Sequence, residues 1–232
     1  MALFGFLAAM AMMKQEPTPA LWLNLKGEIL IAGQPAEAQL TAGASRNNST
    51  KGVIYDFTGN HGGILLGDPQ SLQMTGSMTV ATWLYLRSYA NNGAQSEVLF
   101  RGDDRNGFDP YCLAVENDGT INFVIENDQS QGVGVKAEIP LNRWTYVLAS
   151  LNADNGEMSM WLNGEKMAFT HTSKRPFSQL IQQYTPGMGI GNVQNDHGPH
   201  NQPLNGMIAD LRLYSTVVTP EDIPWSSPSS LK

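Results

Sequence analysis

The sequence predicts an all-β protein, a sandwich or barrel of antiparallel sheets, and three observations lead there. Helical periodicity is nearly absent after Lys14. In its place, short runs rich in β-branched and aromatic residues recur, each bounded by Gly, Asn, Asp or Pro. The joints between runs carry hairpin chemistry: Asn117-Asp118-Gly119, Asp154-Asn155-Gly156 and Asn163-Gly164-Glu165. Asn and Asp tolerate left-handed backbone and Gly adopts it freely, so these are read as turn geometry rather than ligand contacts.

In chain order, Gly52 to Phe57 is the first run. Met78 to Leu86 places Met78, Val80, Thr82, Leu84 and Leu86 on one face and Thr79, Ala81, Trp83 and Tyr85 on the other. Glu97 to Arg101 and Tyr111 to Glu116 follow, and Thr120 to Glu126 aligns Ile121, Phe123 and Ile125 on one face. Arg143 to Leu151, Glu157 to Asn163, Lys166 to Thr170 and Met207 to Tyr214 complete the main set, and Pro220 to Ile223 suits one short helical turn. Many short strands at this spacing mean stacked or closed antiparallel sheets.

Length and composition bound the function. A chain of 232 residues favours one compact domain with a tail. A hydrophobic content of 41% excludes a disordered chain. Charged residues are 15%, against about 25% in an average soluble protein. The surface is therefore finished with Asn, Gln, Ser, Thr and Gly, as in many secreted and cell-surface β proteins. A net charge of −7 without any basic run argues against nucleic-acid binding. The one cysteine, Cys112, excludes a disulfide framework and a cysteine metal site. Its apolar run Tyr111 to Val115 points to a buried small hydrophobe, with a reactive thiol as the alternative.

The first thirteen residues are almost wholly apolar. As a helix they reach roughly 20 Å, short of a roughly 30 Å hydrocarbon core. A secretory signal is one reading, although a charged leading flank is missing. The other is a segment, Ala2 to Met13, that packs on this domain or on a neighbouring copy. The expected organisation is an apolar segment and linker over 1–20, a domain over 21–225 and a tail over 226–232.

Six segments, in order, carry a family resemblance: Val53 to Gly59 (VIYDFTG), Gly63 to Leu66, Gly76 to Tyr85 (GSMTVATWLY), Leu141 to Leu151 (LNRWTYVLASL), Met158 to Glu165 (MSMWLNGE) and Gly206 to Ile223. Together they resemble the laminin-G-like, concanavalin A-like jelly-roll superfamily over about residues 50 to 223. The resemblance implies two antiparallel sheets packed as a jelly-roll sandwich, on which lectins, glucanases, adhesion modules and spacers are all built. It also makes Trp83, Trp144 and Trp161 core residues. In two places this chain departs from the family pattern. Phe57-Thr58-Gly59 stands where Phe-Asp-Gly is usual, with Asp56 one place early, and Ala209 stands where Asp is frequent, with Asp210 next. Those acidic positions hold structural calcium in some relatives, and an offset by one turns a strand side chain to the other face.

The Glu-x-Asp-x-x-Glu strand of laminarinase-like members is absent: Glu116-Asn117-Asp118 and Glu126-Asn127-Asp128 each lack the third carboxylate. No nucleophile elbow, His-Glu-x-x-His helix or phosphate-binding loop is present either. This points away from an enzyme. Two loops remain as candidates. Gly102 to Asp109 gathers Asp103, Asp104, Asn106 and Asp109, hard oxygens suited to Ca2+, with a solvated acidic loop as the alternative. Gly191 to Pro203 offers Asn192, Asn195, Asp196, His197, His200 and Asn201 for sugar hydroxyls. Tyr89 and Phe108 lie in loops where a ring can stack on a sugar, and Trp22 and Trp225 are candidates to pack together. The expectation is an extracellular or cell-surface binding module that recognises glycan or protein through rim loops. The alternatives are a structural subunit that self-associates through Ala2 to Met13 and, last, a glycan-active enzyme.

Overall fold

The computed structural model describes residues 16–90, 95–181, 183, 186–194 and 198–223. Ala2 to Met13, Asn195, Asp196, His197 and Trp225 lie outside them. The strands in chain order are β1 (Leu21–Leu23), β2 (Ile29–Ile31), β3 (Gln34–Pro35), β4 (Gln39–Leu40), β5 (Ala44–Ser49), β6 (Gly52–Thr58), β7 (Ile64–Gly67), β8 (Met78–Leu86) and β9 (Gln95–Gly102). They continue with β10 (Tyr111–Glu116), β11 (Thr120–Glu126), β12 (Gly132–Glu138), β13 (Trp144–Leu151), β14 (Glu157–Leu162), β15 (Glu165–His171), β16 (Gly187–Ile190) and β17 (Asn205–Tyr214). A 3-10 turn covers Gln70–Leu72, and 220–223 forms a turn, not a helix.

Two antiparallel sheets result. The larger runs β15-β14-β13-β8-β17-β1-β2-β3, with β6 also on β17 and β5 on β6; the smaller runs β12-β11-β10-β9-β16-β7-β4. The fold is a two-layer sandwich consistent with the jelly roll. The even residues of β8 face inward, as do Val147, Ala149 and Leu151 of β13, and they meet Leu99, Leu113, Val115, Ile121, Phe123 and Ile125 of the smaller sheet. At Asn163 and Gly164 the backbone has φ of 53° and 85°, the left-handed pair that a two-residue hairpin requires.

Trp83 is a buried core residue as expected and Trp144 and Trp161 are half-buried against it, but none of the three lies between the sheets. Because Val80 and Leu84 point inward, Trp83 must point outward, and Trp144 and Trp161 do the same on β13 and β14. They build a second apolar layer on the outer face of the larger sheet with Tyr146, Leu148, Ala209 and Tyr214, covered in part by Val218 and Ile223. The Trp83 and Tyr146 rings meet at 5.2 Å, tilted by 49°, and those of Tyr85 and Trp144 at 5.7 Å, tilted by 60°.

The displaced acidic residues also find their explanation. β17 carries a bulge between Ala209 and Arg212, and Asp210 sits there with φ of 50°. Its carboxylate accepts from Trp22 Nε1 at 2.7 Å and from Arg212 at 3.0 and 2.8 Å. Arg212 in turn donates to Glu16, which also accepts from the Tyr214 hydroxyl at 2.9 Å. Asp56 is held by both oxygens at 2.8 Å by Arg87. Arginine thus takes both carboxylates.

Replacing Asp210 with Ala leaves the nearly buried Arg212 without its bidentate partner and puts an alanine in left-handed backbone. The expected loss of stability in urea unfolding is about 3 kcal/mol. Asp210→Asn, which keeps an acceptor and tolerates that backbone, should lose less.

Candidate functional site

The two loops singled out from the sequence meet on the smaller sheet. After β16, the described residues 191–194 and 198–204 lie on the sheet's outer face, where Val193 packs on Phe100 and Cys112 and the His200 ring lies 4.5 Å from that of Phe100. Asn192 knots this loop. Its Nδ2 donates to the His61 carbonyl and to Asn201 Oδ1 at 2.9 and 3.0 Å, and its Oδ1 accepts from the Val193 and Gln202 amides, each at 3.0 Å. Its side chain is therefore engaged inside the protein, not offered to a ligand.

The acidic loop is braced in the same way. Asp103 is fully buried, and its carboxylate accepts from the Arg105 amide and guanidinium and from the Ile181 amide at 3.0 Å. Burial works against its charge, but these donors prevail and hold the carboxyl below its usual range. Asp104 accepts from the Gln194 side chain, so the loops are tied directly. Asn106 is exposed and its carbonyl accepts from Ser130. Arg105 lies 3.9 Å over the Phe108 ring, whose other contact is Phe177, edge-on at 6.1 Å. Among the described residues, no three His, Cys, Asp or Glu side chains converge as a metal centre would need.

Beneath the loops lies a group of buried acceptors. His200 Nε2 faces the Asp103 carbonyl at 2.9 Å and so carries the ring proton, leaving the buried Nδ1 an acceptor without a partner. Burial keeps this ring below the ordinary histidine range. Asp109 Oδ1, 3.6 Å from Nε2, is unpartnered too, and it occupies the space a Cβ at Gly102 would take, 2.3 Å away. Burial first, then the charges of Glu126, Asp103 and Asp104, push Asp109 up to about 8. Glu97 is wholly buried with both oxygens unpartnered, and burial followed by the Asp109 charge raises it well above the usual carboxyl range. The same surroundings hold Cys112 protonated, which makes it a buried small hydrophobe.

The opening suited to a ligand is at the other end of the sandwich. A cleft of about 360 Å³ is lined by Tyr89 after β8, Asp118 and Gly119 in the β10–β11 hairpin, Glu138 at the end of β12, and Ile139, Pro140 and Arg143 before β13. The Tyr89 hydroxyl donates to the Ile139 carbonyl at 2.8 Å, which fixes the ring against the hairpin. Gly119, at φ of 89°, lets the ring come close: a Cβ there would sit 3.4 Å from it. Asp118 is engaged by Thr120 and Lys136, at 2.6 and 3.0 Å. Glu138 and Arg143 are exposed and carry no hydrogen bond or ion pair among the described residues. Of the sequence candidates only Tyr89 lies here. Glu138 and Arg143 flank the β12–β13 connection and Asp118 stands in the β10–β11 hairpin, and no local spacing links the two.

A family model described as the concanavalin A-like lectin/glucanases superfamily (Laminin_G_3) matches residues 58–224. The chain belongs to this family. No curated protein matches the chain. Among solved structures, the receptor binding domain of botulinum neurotoxin D is similar at a TM-score of 0.65 and 14% identity, over 88% of this chain and 50% of that one. Domain 4 of AbnA, a GH43 extracellular arabinanase from Geobacillus stearothermophilus, in complex with arabinotriose, is similar at 0.64 and 17%, over 90% of this chain and 97% of that domain. The chain thus spans about half the toxin domain and nearly all of the arabinanase domain. At these identities the likeness is one of fold.

The buried carboxyls make stability depend on pH. Glu97 and Asp109 hold protons in the folded state that the unfolded chain releases above its ordinary carboxyl range. Stability therefore falls as pH rises from about 4 to about 8. Thermal unfolding of Glu97→Gln across this window should show a shallower fall and a higher Tm than the parent at pH 8.

Proposed function

We propose that this member of the family is a non-catalytic, extracellular binding module that takes a short stretch of neutral glycan in the cleft beside Tyr89. The observation that carries this is the pairing, in one cleft, of an anchored tyrosine ring with a free carboxylate, Glu138, and a free guanidinium, Arg143. Sugar hydroxyls both donate and accept, so a polyol satisfies an acceptor and a donor of opposite charge together, while the apolar face of a pyranose or furanose covers the ring. The volume suits one or two sugar units. The rim position also agrees with the fold's use in binding: similar structures include a toxin's receptor binding domain and an arabinanase domain holding arabinotriose. Calcium enters this proposal only through Asp104, Asn106 and Asp109, since Asp103 is taken by Arg105, and its binding would have to displace the Gln194 contact to Asp104 and the proton on Asp109.

Isothermal titration with arabinotriose and other neutral oligosaccharides, in calcium and in chelator, tests it. The expected affinity is modest, as shallow sites give. Arg143→Ala, an exposed change that leaves the fold intact, should weaken binding about tenfold or more, the loss of one charged hydrogen bond. Tyr89→Ala should do at least as much. Full affinity in Arg143→Ala, or no binding to any neutral glycan, rejects the assignment. Unchanged affinity and Tm in chelator rejects calcium.

A further inference from the structure

Beside the Tyr89 cleft, at the same end of the sandwich, lies a smaller recess between the end of β8 and the starts of β9 and β17. Tyr89 borders both openings, and Ser88, Gln95, Gln202 and Asn205 line the recess. Its free volume is about 20 Å³, room for little more than one water, which needs roughly 10–15 Å³. Among the described residues no charged side chain lines it, whereas the cleft carries Asp118, Glu138 and Arg143. Its polar groups are fixed but not all used. Gln202 is pinned through its backbone: its amide donates to Asn192 Oδ1 at 3.0 Å and its carbonyl accepts from the Glu97 amide at 2.8 Å. Its Nε2 donates to the Pro199 carbonyl at 3.1 Å, which orients the side chain and leaves Oε1 buried without a partner. Such an acceptor costs stability until something donates to it. Asn205 Nδ2 donates to Ser88 Oγ at 3.0 Å, so the Ser88 hydroxyl keeps its own proton to give. Gln95, half-buried at the start of β9, makes no side-chain hydrogen bond among the described residues.

On the reading that the Tyr89 cleft holds glycan, we infer that the recess is a second subsite of the same site and takes an exocyclic hydroxymethyl group from a neighbouring sugar unit. The hydroxymethyl is the group that reaches furthest from a sugar ring, and it ends in one hydroxyl. That hydroxyl donates to Gln202 Oε1 and accepts from Ser88 or the Gln95 amide, so the orphaned acceptor is satisfied and no new one is created. It reproduces the bonds of a water it displaces, and that water is released. An acetamido group is too bulky for this volume, and a carboxylate would bring a charge that no cation in the recess meets. The module therefore selects neutral glycans that carry a free hydroxymethyl, such as hexose chains or a terminal arabinofuranose, over pentopyranose chains such as xylan, which have none.

Isothermal titration of the full chain with cellotriose, arabinotriose and xylotriose tests this. The parent should bind at least one of the first two about fivefold or more tightly than xylotriose, the worth of one hydrogen bond to a buried acceptor. Gln202→Met keeps the length of the side chain and removes the acceptor. It should erase that preference and leave xylotriose affinity unchanged. Its Tm should hold or rise, because a buried acceptor without a partner is lost, whereas a merely structural glutamine would lower it. Gln95→Ala should narrow the same preference; if Gln202→Met lowers Tm, this variant alone decides. Xylotriose bound as well as the others overturns the subsite, as does a preference that survives the deciding variant or an equal weakening of all three ligands. In those cases Arg143→Ala still weakens binding if the cleft itself holds glycan. Binding of none of the three, to parent or variant, overturns the subsite and the cleft together.

Discussion

β17 is a central strand that serves two different neighbours along one edge, and between them a bulge breaks its two-residue alternation. Its first half pairs with β6 and its second half with β1, while β8 runs along the other side. The additional residue at Asp210 resets the alternation, so that Ile208 before it and Leu211 and Leu213 after it all point inward. Were Asp210 instead taken into a regular ladder, the second half of the strand would turn its arginine and tyrosine into the core. The left-handed conformation it requires is held by the clamp from Trp22 and Arg212, and Glu16 extends the clamp to the first described residue. The closing strand, the amino-terminal strands and the outer aromatic layer therefore share one polar knot.

The molecule divides labour between its ends. At the β9–β10 end, polar residues that look available in the sequence are consumed by structure: Asp103 holds Arg105 and the 181 amide, and Asn192 ties five groups together. At the opposite end, the residues left over are less conspicuous and better placed. Arg143 and Glu138, without side-chain partners among the described residues, line one cleft with Tyr89, whose hydroxyl is already satisfied and whose ring is therefore fixed in place.

Much of the fold was legible because the inward residues of β8, β11 and β13 alternate cleanly and the turns between runs carry Asn, Asp and Gly. What escaped was written by neighbours rather than by local pattern. The β5 segment ASRNNS has no apolar face at all and is a strand only because β6 offers it a complete ladder. In β12, GVGVKAE, two glycines blur the alternation, and β16, GMGI, is too short and glycine-rich to announce itself between β9 and β7. For the tryptophans the sequence revealed the period but not which face was inside; the inter-sheet space went to Val, Leu, Met and Ile with Tyr55, Phe57, Tyr111 and Phe123. The site was least legible. Glu138 and Arg143 flank the β12–β13 connection, and only the register of three hairpins brings them to Tyr89.

The residues on either side of 195–197 have one more effect. Val193 and His200 seal Phe100 and Cys112 on the outer face of the smaller sheet, whereas Val124 of β11 is only half-buried and Gly132 and Gly134 of β12 are exposed. That face is therefore asymmetric, shielded over β9 and β10 and bare toward the β12 edge.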